Sequence, residues 1–338
     1  MRKTVKMLLS ILFIGGALTS WAQQDPMFTK YMFNSLVYNP AYAGSNEHMA
    51  IGLLHRTQWG GIDGAPTTQS FTLHTPMKSE RVGVGFSFLS DKIGPTTTFG
   101  FNAAYAYRIP VGKTGKIAIG LQGGIENYQA DWTVLDLQDQ GDPSFDFSQS
   151  RWLPNFGAGV YYNSKHFYAG FSCPQLVEYD LRENIQTDIY ARQARHYFFS
   201  IGGAIPLKGD ALIFKPSALI KNVGLFSSSA KKAEFKNIGA PTEFDIDLSF
   251  LFYETFWVGA SFRSALEAFQ KGSDDQKLSS FDSGDIWASW FMSNGIRIGA
   301  AYDYPLNDLN TVTYGSFELF LGYEFNFKTK KIVTPRYF

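Results

Sequence analysis

The sequence predicts an all-β fold: a transmembrane antiparallel up-and-down β-barrel of about 14 strands, preceded by a short helical or plug segment. Three observations carry that reading. Stretches of about ten residues alternate apolar and polar side chains with period two. After residue 22 no apolar run is long enough to form a spanning helix. The connections between the alternating stretches are short and long by turns along the chain.

The alternation is clearest at 98–109. Phe99, Phe101, Ala103, Tyr105, Tyr107 and Ile109 fall on one face there, with Gly100, Asn102, Ala104, Ala106 and Arg108 on the other. In 116–126, Ile117, Ile119, Leu121 and Ile125 oppose Gln122 and Glu126. In 314–327, Phe317, Leu319, Leu321, Tyr323, Phe325 and Phe327 oppose Glu318, Glu324 and Asn326. A soluble sandwich would put the apolar face in its core; a membrane barrel turns it to lipid and the charged face to the lumen.

Composition and connections separate those two cases. The chain holds 31 Phe, 18 Tyr and 7 Trp. Without a spanning helix, such a chain crosses a bilayer only as a closed sheet, because every backbone donor and acceptor must be paired where there is no water. Strands are expected at 48–59, 67–77, 81–90, 97–109, 116–130, 153–163, 166–175, 194–206, 211–222, 242–253, 256–265, 284–293, 296–304 and 313–327. Connections after even-numbered strands are short: Lys78–Glu80, Pro110–Gly115, Ser164–Lys165, Leu207–Asp210, Glu254–Thr255 and Asn294–Gly295. Those after odd-numbered strands are mostly longer, notably 131–152, 223–241 and 266–283. Outer-membrane barrels alternate in this way, with short periplasmic turns and long outer loops. An even strand count then leaves both termini in the periplasm, and lipid is the first partner implied.

Residues 1–22 read as a removable signal peptide. Arg2, Lys3 and Lys6 form the positive region, Met7–Leu18 the apolar one, and Ser20-Trp21-Ala22 the small-x-small site. A periplasmic N-terminal segment (23–47), the barrel (48–327) and a periplasmic C-terminal tail (328–338) follow. Three of the 30 basic residues lie in the signal and none of the 30 acidic, so 27 basic face 30 acidic residues afterwards. That balance gives no nucleic-acid surface. Cys173, the one cysteine, cannot form an internal disulfide and lies in an apolar stretch, which fits packing.

The residues that might carry chemistry do not assemble into an enzyme. His48, His55, His74, His166 and His196 lack metal-ligand spacing, and no GxSxG elbow is present. A non-enzymatic protein without a cofactor is expected. Two charge features stand out. From Ile117 to Ser150 there is no Lys or Arg, while Glu126, Asp131, Asp136, Asp139, Asp142 and Asp146 are present. The spacing of Asp136, Asp139 and Asp142 does not fit a calcium loop. A solvated outer loop fits it, as does a docking loop for a partner. Lys231, Lys232 and Lys236 make another connection basic. On the inferred lumen face Arg56, Arg108, Lys215, Arg263 and Arg297 accompany Glu126, Asp245, Asp247, Asp303, Glu318 and Glu324. Mixed signs there point to a cross-linked interior rather than an ion-selective pore.

Residues 23–45 are neither strand nor linker. Asp25 and Pro26 suit a helix N-cap and first turn; Met27, Phe28, Tyr31 and Met32 recur at roughly helical spacing, and Asn39-Pro40 ends the segment. The run Asp25-Pro26-x-Phe28-Thr29-x-Tyr31-Met32-Phe33-Asn34 and the run Asn39-Pro40-Ala41-Tyr42-Ala43-Gly44 resemble the PorP/SprF family of type IX secretion system outer-membrane proteins. Gln58-Trp59, Gly64-Ala65-Pro66, Pro174-Gln175-Leu176 and the closing Pro335-Arg336-Tyr337-Phe338 support the resemblance.

What the resemblance implies is a membrane partner of secreted surface proteins in gliding or adhesive bacteria. Its partners would be a secreted cell-surface protein or adhesin and other type IX secretion components. Residues 25–44 are then either a plug or lid at the periplasmic mouth or a direct partner contact. On the second reading Phe28, Tyr31 and Phe33, with Asp136, Asp139 and Asp142 of the acidic loop, are the candidate partner-binding residues. Phe320, Gly322, Phe325 and Phe327 resemble a terminal assembly signal, a pattern that any alternating strand with one glycine can also match. The rival function is an outer-membrane porin or a channel for hydrophobic solutes.

Overall fold

The structure, a computed structural model, describes residues 28–46, 48–134, 148–181, 192–224, 242–266 and 281–325. Fourteen strands form its wall: β1 (Ala50–Thr57), β2 (Thr67–Pro76), β3 (Val82–Ile93), β4 (Thr96–Val111), β5 (Gly115–Asp131), β6 (Ser148–Asn163) and β7 (Phe167–Cys173) make one half. The other half is β8 (His196–Gly203), β9 (Leu212–Val223), β10 (Glu243–Phe252), β11 (Phe256–Ala265), β12 (Phe281–Phe291), β13 (Ile296–Pro305) and β14 (Ser316–Glu324). Each strand pairs antiparallel with the next. The ring closes where β1 pairs with β14, from Ala50↔Glu324 to Thr57↔Phe317. Closure leaves no sheet edge, which a lipid-facing wall requires.

The two faces follow the sequence pattern. Along β14, Phe317, Leu319, Leu321 and Tyr323 point outward and are exposed, whereas Glu318 and Phe320 point inward and are buried. In β4, Tyr105, Tyr107 and Ile109 point outward, while Ala104, Ala106 and Arg108 line the interior. All of the charged lumen residues expected above point inward; Arg56, Asp245, Asp247, Arg263, Asp303 and Glu318 are buried there. This inverts a soluble protein: apolar side chains cover the outside, and ions and small residues fill the inside.

Strand ends differ from expectation by up to a few residues, among them β12, which begins at Phe281 instead of 284, and two departures have a local cause. β3 and β4 run on to Ile93 and Thr96 and meet in a tight turn at Gly94-Pro95, although this connection follows an odd-numbered strand. Gly94 supplies a φ of +50°, and the β-branched run Thr96-Thr97-Thr98 extends the pairing to the turn. β6 begins at Ser148 instead of 153, paired with Asp131 at the end of β5. Ser148–Trp152 carries no clear apolar alternation that would have announced a strand. The connections after β5, β9 and β11 fall largely outside the described residues. Among those residues no helix is long and apolar enough to cross a membrane.

Candidate functional site: the segment inside the barrel

Residues 28–44 occupy the lumen. Phe28, Thr29, Lys30, Tyr31, Leu36, Ala41 and Ala43 are almost entirely inaccessible. Burying large apolar groups such as Phe28 and Leu36 is worth about 1.5–3 kcal/mol each. The segment is not one helix. A 3-10 turn at Tyr31–Phe33, a single α turn at Ser35–Tyr38 and a 3-10 turn at Pro40–Tyr42 follow one another. The expected N-cap residues Asp25 and Pro26 lie outside the described residues, as does Met27. The reason for the broken path is that the wall supplies backbone partners a helix would otherwise supply itself. Glu318 accepts hydrogen bonds from the N–H groups of Thr29 (2.6 Å) and Lys30 (2.8 Å). Arg263 donates to the Phe28 carbonyl (3.1 Å), Ser172 to that of Tyr38 (2.8 Å) and Arg108 to that of Ala43 (3.3 Å).

The first part of the segment meets an ionic network near the long-connection end. Asp245, Arg263, Asp303 and Glu318 each lie two residues inside that end of their strands. Arg56 pairs with Asp303 (2.7 Å) and Glu318 (3.5 Å), and Arg263 with Asp245 (2.9 Å). Thr29 donates its hydroxyl to Asp303 (2.8 Å). The Lys30 ammonium reaches Asp285 (2.5 Å), Asp247 (3.3 Å) and the Ser261 hydroxyl. Deeper in, Phe33 stacks on Phe320 with centroids 4.0 Å apart and meets Trp257 and Trp287 edge-on. The Lys215 ammonium lies over the Trp257 ring.

The second part lies on a bed of small residues. A Cβ on Gly120 would fall 2.2 Å from the Ala41 nitrogen, and one on Gly83 would fall 2.0 Å from the Ala43 oxygen. Asn39 caps Pro40–Tyr42 through the Ala41 N–H (2.9 Å) and donates to the Val160 carbonyl (3.1 Å). Gly159 lies directly beneath it, where a Cβ would fall 2.2 Å from the Asn39 side-chain oxygen. The Asn-Pro-Ala-Tyr-Ala-Gly run is thus a shape match to β3–β6. The paired residues Gly52 and Gly322 leave a cleft beside Met32 and Phe33 at the short-turn end. The β7–β8 connection also turns inward. Gln175 and Gln193 donate to Glu126 (3.3 and 3.0 Å), and Leu181 joins Tyr128, Ala130 and Leu153 in a buried cluster. Pro174 accepts from Gln122 (2.9 Å).

Of the candidate partner-binding residues, Phe28 and Tyr31 are buried and Phe33 is half-buried, all against the barrel wall. Asp136, Asp139 and Asp142 lie outside the described residues, as do Phe327 of the terminal signal and the basic residues Lys231, Lys232 and Lys236. Phe320 and Gly322 face the lumen, and Phe325 bonds through its N–H to the Met49 carbonyl (2.9 Å). Sequence reasoning missed Lys30, Asp285 and the glycines under residues 39–44. Asp285 was within reach, since Ser283, Asp285, Trp287 and Ser289 share one parity of β12. Lys30 had one weak signal: it is the lone cation in an aromatic stretch.

The profile described as type IX secretion system membrane protein PorP/SprF matches residues 20–323, nearly the whole chain. The chain belongs to the PorP/SprF family. No curated protein sequence matches it. Among solved structures, this PorP/SprF barrel is similar to the Ralstonia pickettii toluene transporter TbuX, at 11% identity over 91% of this chain and 96% of that one, with a TM-score of 0.50. It is also similar to a Pseudomonas aeruginosa FadL homologue, at 12% identity over 92% and 96% of the two chains, with a TM-score of 0.46. At such identities the likeness is one of fold, an outer-membrane β-barrel; the association with type IX secretion rests on the family.

Proposed function

We propose that this barrel is a non-enzymatic component of the type IX secretion and gliding machinery that anchors, receives or helps export a partner cell-surface protein, such as an adhesin. The observation that carries the reading is the occupied lumen. A PorP/SprF barrel whose interior is filled by its own residues 28–44, bonded to strands all around the ring, suits an assembly and docking role better than free diffusion. In this reading the short-turn end and both termini are periplasmic. On this reading the connections at the other end, apart from the inward-turning one between β7 and β8, are the outer ones, and the acidic residues Asp136, Asp139 and Asp142 are expected to meet the partner, since loops tolerate change that strands do not.

The rival, a porin or hydrophobic-solute channel, requires residues 28–44 to leave. Affinity purification from membranes, followed by identification of what co-purifies, separates the two. Replacing 133–147, which stops short of the paired residues of β6, by a short Gly/Ser turn should leave the barrel assembled and reduce co-purification. The remaining association should lose its salt dependence, because the removed loop carries charge of one sign. Normal partner recovery with solute conductance by the unaltered barrel would replace this reading with the channel.

A further inference from the structure

Three adjacent strands build an enclosure around the Lys30 ammonium. Asp285 and Trp287 come from β12, Asp247 from β10 and Ser261 from β11. The ammonium meets Asp285 at 2.5 Å, Asp247 at 3.3 Å and the Ser261 hydroxyl, and it lies 5.4 Å from the centroid of the Trp287 ring. The wall groups also hold one another. Trp287 Nε1 and the Ser261 hydroxyl each donate to Asp247 at 2.7 Å. The enclosure is therefore organised by the wall, and Lys30 enters it from a separate segment. Oδ1 of Asp247 and Oδ2 of Asp285 are buried without a hydrogen-bond partner, so acceptors remain for further N–H donors.

We infer that this enclosure is a binding site for a primary alkylammonium group, held in this structure by the chain's own Lys30, and that it takes the lysine side chain of an incoming partner polypeptide when residues 28–30 withdraw. Two carboxylates, a hydroxyl and an indole face match a group with three N–H donors and a diffuse positive charge. The planar guanidiniums of the lumen are held elsewhere, Arg56 by Asp303 and Arg263 by Asp245. Withdrawal of residues 28–30 would leave Asp245, Asp247, Asp285, Asp303 and Glu318 with Arg56, Arg263 and, deeper, Lys215. Buried charge without compensation is strongly unfavourable, so departure of Lys30 is coupled to arrival of another cation. The identity of the occupant as a partner polypeptide rests on the function proposed above; the ammonium site itself does not.

The test uses the purified full-length barrel carrying Lys30→Ala, with n-butylammonium chloride as the probe. Sodium chloride and n-butyltrimethylammonium chloride at equal ionic strength are the controls. The readout is the temperature at which the compact, heat-modifiable form is lost. The expected result is a lowered transition that n-butylammonium restores with saturation, while neither control does. Lys30→Met fills the space without a charge and should be lowered but unresponsive. If Lys30→Ala does not survive in detergent, its refolding yield with and without the amine reads the same property. Equal effects of the three salts, or a Lys30→Met barrel that behaves like the unaltered one, would overturn the site. Failure here would leave partner co-purification untouched, whereas failure of co-purification would leave amine binding intact.

Discussion

Gly120 and Gly322 both face the lumen, yet adding one methyl group should have opposite consequences at the two. At Gly120 the new Cβ would fall 2.2 Å from the Ala41 nitrogen and 2.4 Å from the Ala41 Cα, where only backbone could yield. Overpacking of this kind costs about 1–3 kcal/mol. The wall is not the part that gives, since Gly120 is paired with Ala106 and Gly159 deep within the ring. The cost should fall on seating of residues 39–44. At Gly322 the nearest atoms to a Cβ are Arg297 Cβ at 3.5 Å and the Ile51 oxygen at 3.6 Å, an ordinary contact beside the cleft. Gly322→Ala should be neutral or stabilising by about 0.4–1 kcal/mol through reduced freedom of the unfolded chain. Hydrogen exchange of peptides covering 28–44, read by mass spectrometry in detergent, separates local from global effects. Gly120→Ala should speed exchange of that segment about 5- to 150-fold while the strand peptides stay protected. If the two variants exchange alike, or the strands open together with the segment, the account of the small-residue bed is wrong.

Three further outcomes follow from the same contacts. Leu321→Arg places a charge on an exposed lipid-side position near the middle of β14 and should cost roughly 2–4 kcal/mol if it lies at the bilayer midplane, measured by unfolding in lipid vesicles. Arg56→Ala strips the buried carboxylates of Asp303 and Glu318 of their shared guanidinium and should cost about 3–5 kcal/mol, with Arg56→Lys between it and the unaltered barrel by heat-modified gel migration. Burial acts to lower the affinity of Lys30 for its proton, but Asp285, Asp247 and Asp245 outweigh it and hold the group above the ordinary lysine range. Its contribution is therefore fully present below the value for unfolded lysine and lost as pH rises through the raised folded one. An alkaline titration of the transition should fall there, and Lys30→Met should remove that part of the fall.

Much of the wall was legible because its signals are local. Period-two alternation at 98–109 and 116–126 assigned the faces of β4 and β5, and the side chains point as that parity requires. Connection lengths then distinguished a barrel from a sandwich. Where the local signal was weak the reading slipped, as at Ser148–Trp152, or where pairing ran on to a tight turn at Gly94-Pro95. The interior was harder for a different reason. The Asn-Pro-Ala-Tyr-Ala-Gly run pointed to the family, but its place depends on Gly83, Gly120 and Gly159, each without side-chain chemistry to announce it. Thr29 and Lys30 find Glu318 at sequence separations of 289 and 288, far beyond any window of periodicity. For Phe28, Tyr31 and Met32, the spacing that suggested a helix reflected which side chains had to reach the wall, not the hydrogen bonding of the backbone between them.

The ionic character of the contact around Lys30 is hard to explain by stability alone, because well-packed apolar groups of similar volume do as well as or better than buried ion pairs. An apolar core is, however, specific to one occupant, whereas a carboxylate enclosure can exchange one ammonium for another. The combination Lys30→Met, Asp285→Leu and Asp247→Asn separates the two properties. The asparagine oxygen keeps an acceptor for Trp287 Nε1 and Ser261, whose loss would otherwise cost about 1–3 kcal/mol. Methionine and leucine fill the space between them. This barrel should assemble and resist heat at least as well as the unaltered one, and its transition should no longer respond to n-butylammonium. Partner co-purification should fall with it, since the segment is now fixed by contacts that nothing arriving can replace. A combined variant that keeps its partner in full would show the network to be structural only, and one much less stable than the unaltered barrel would show that the ion pairs are needed for the fold itself.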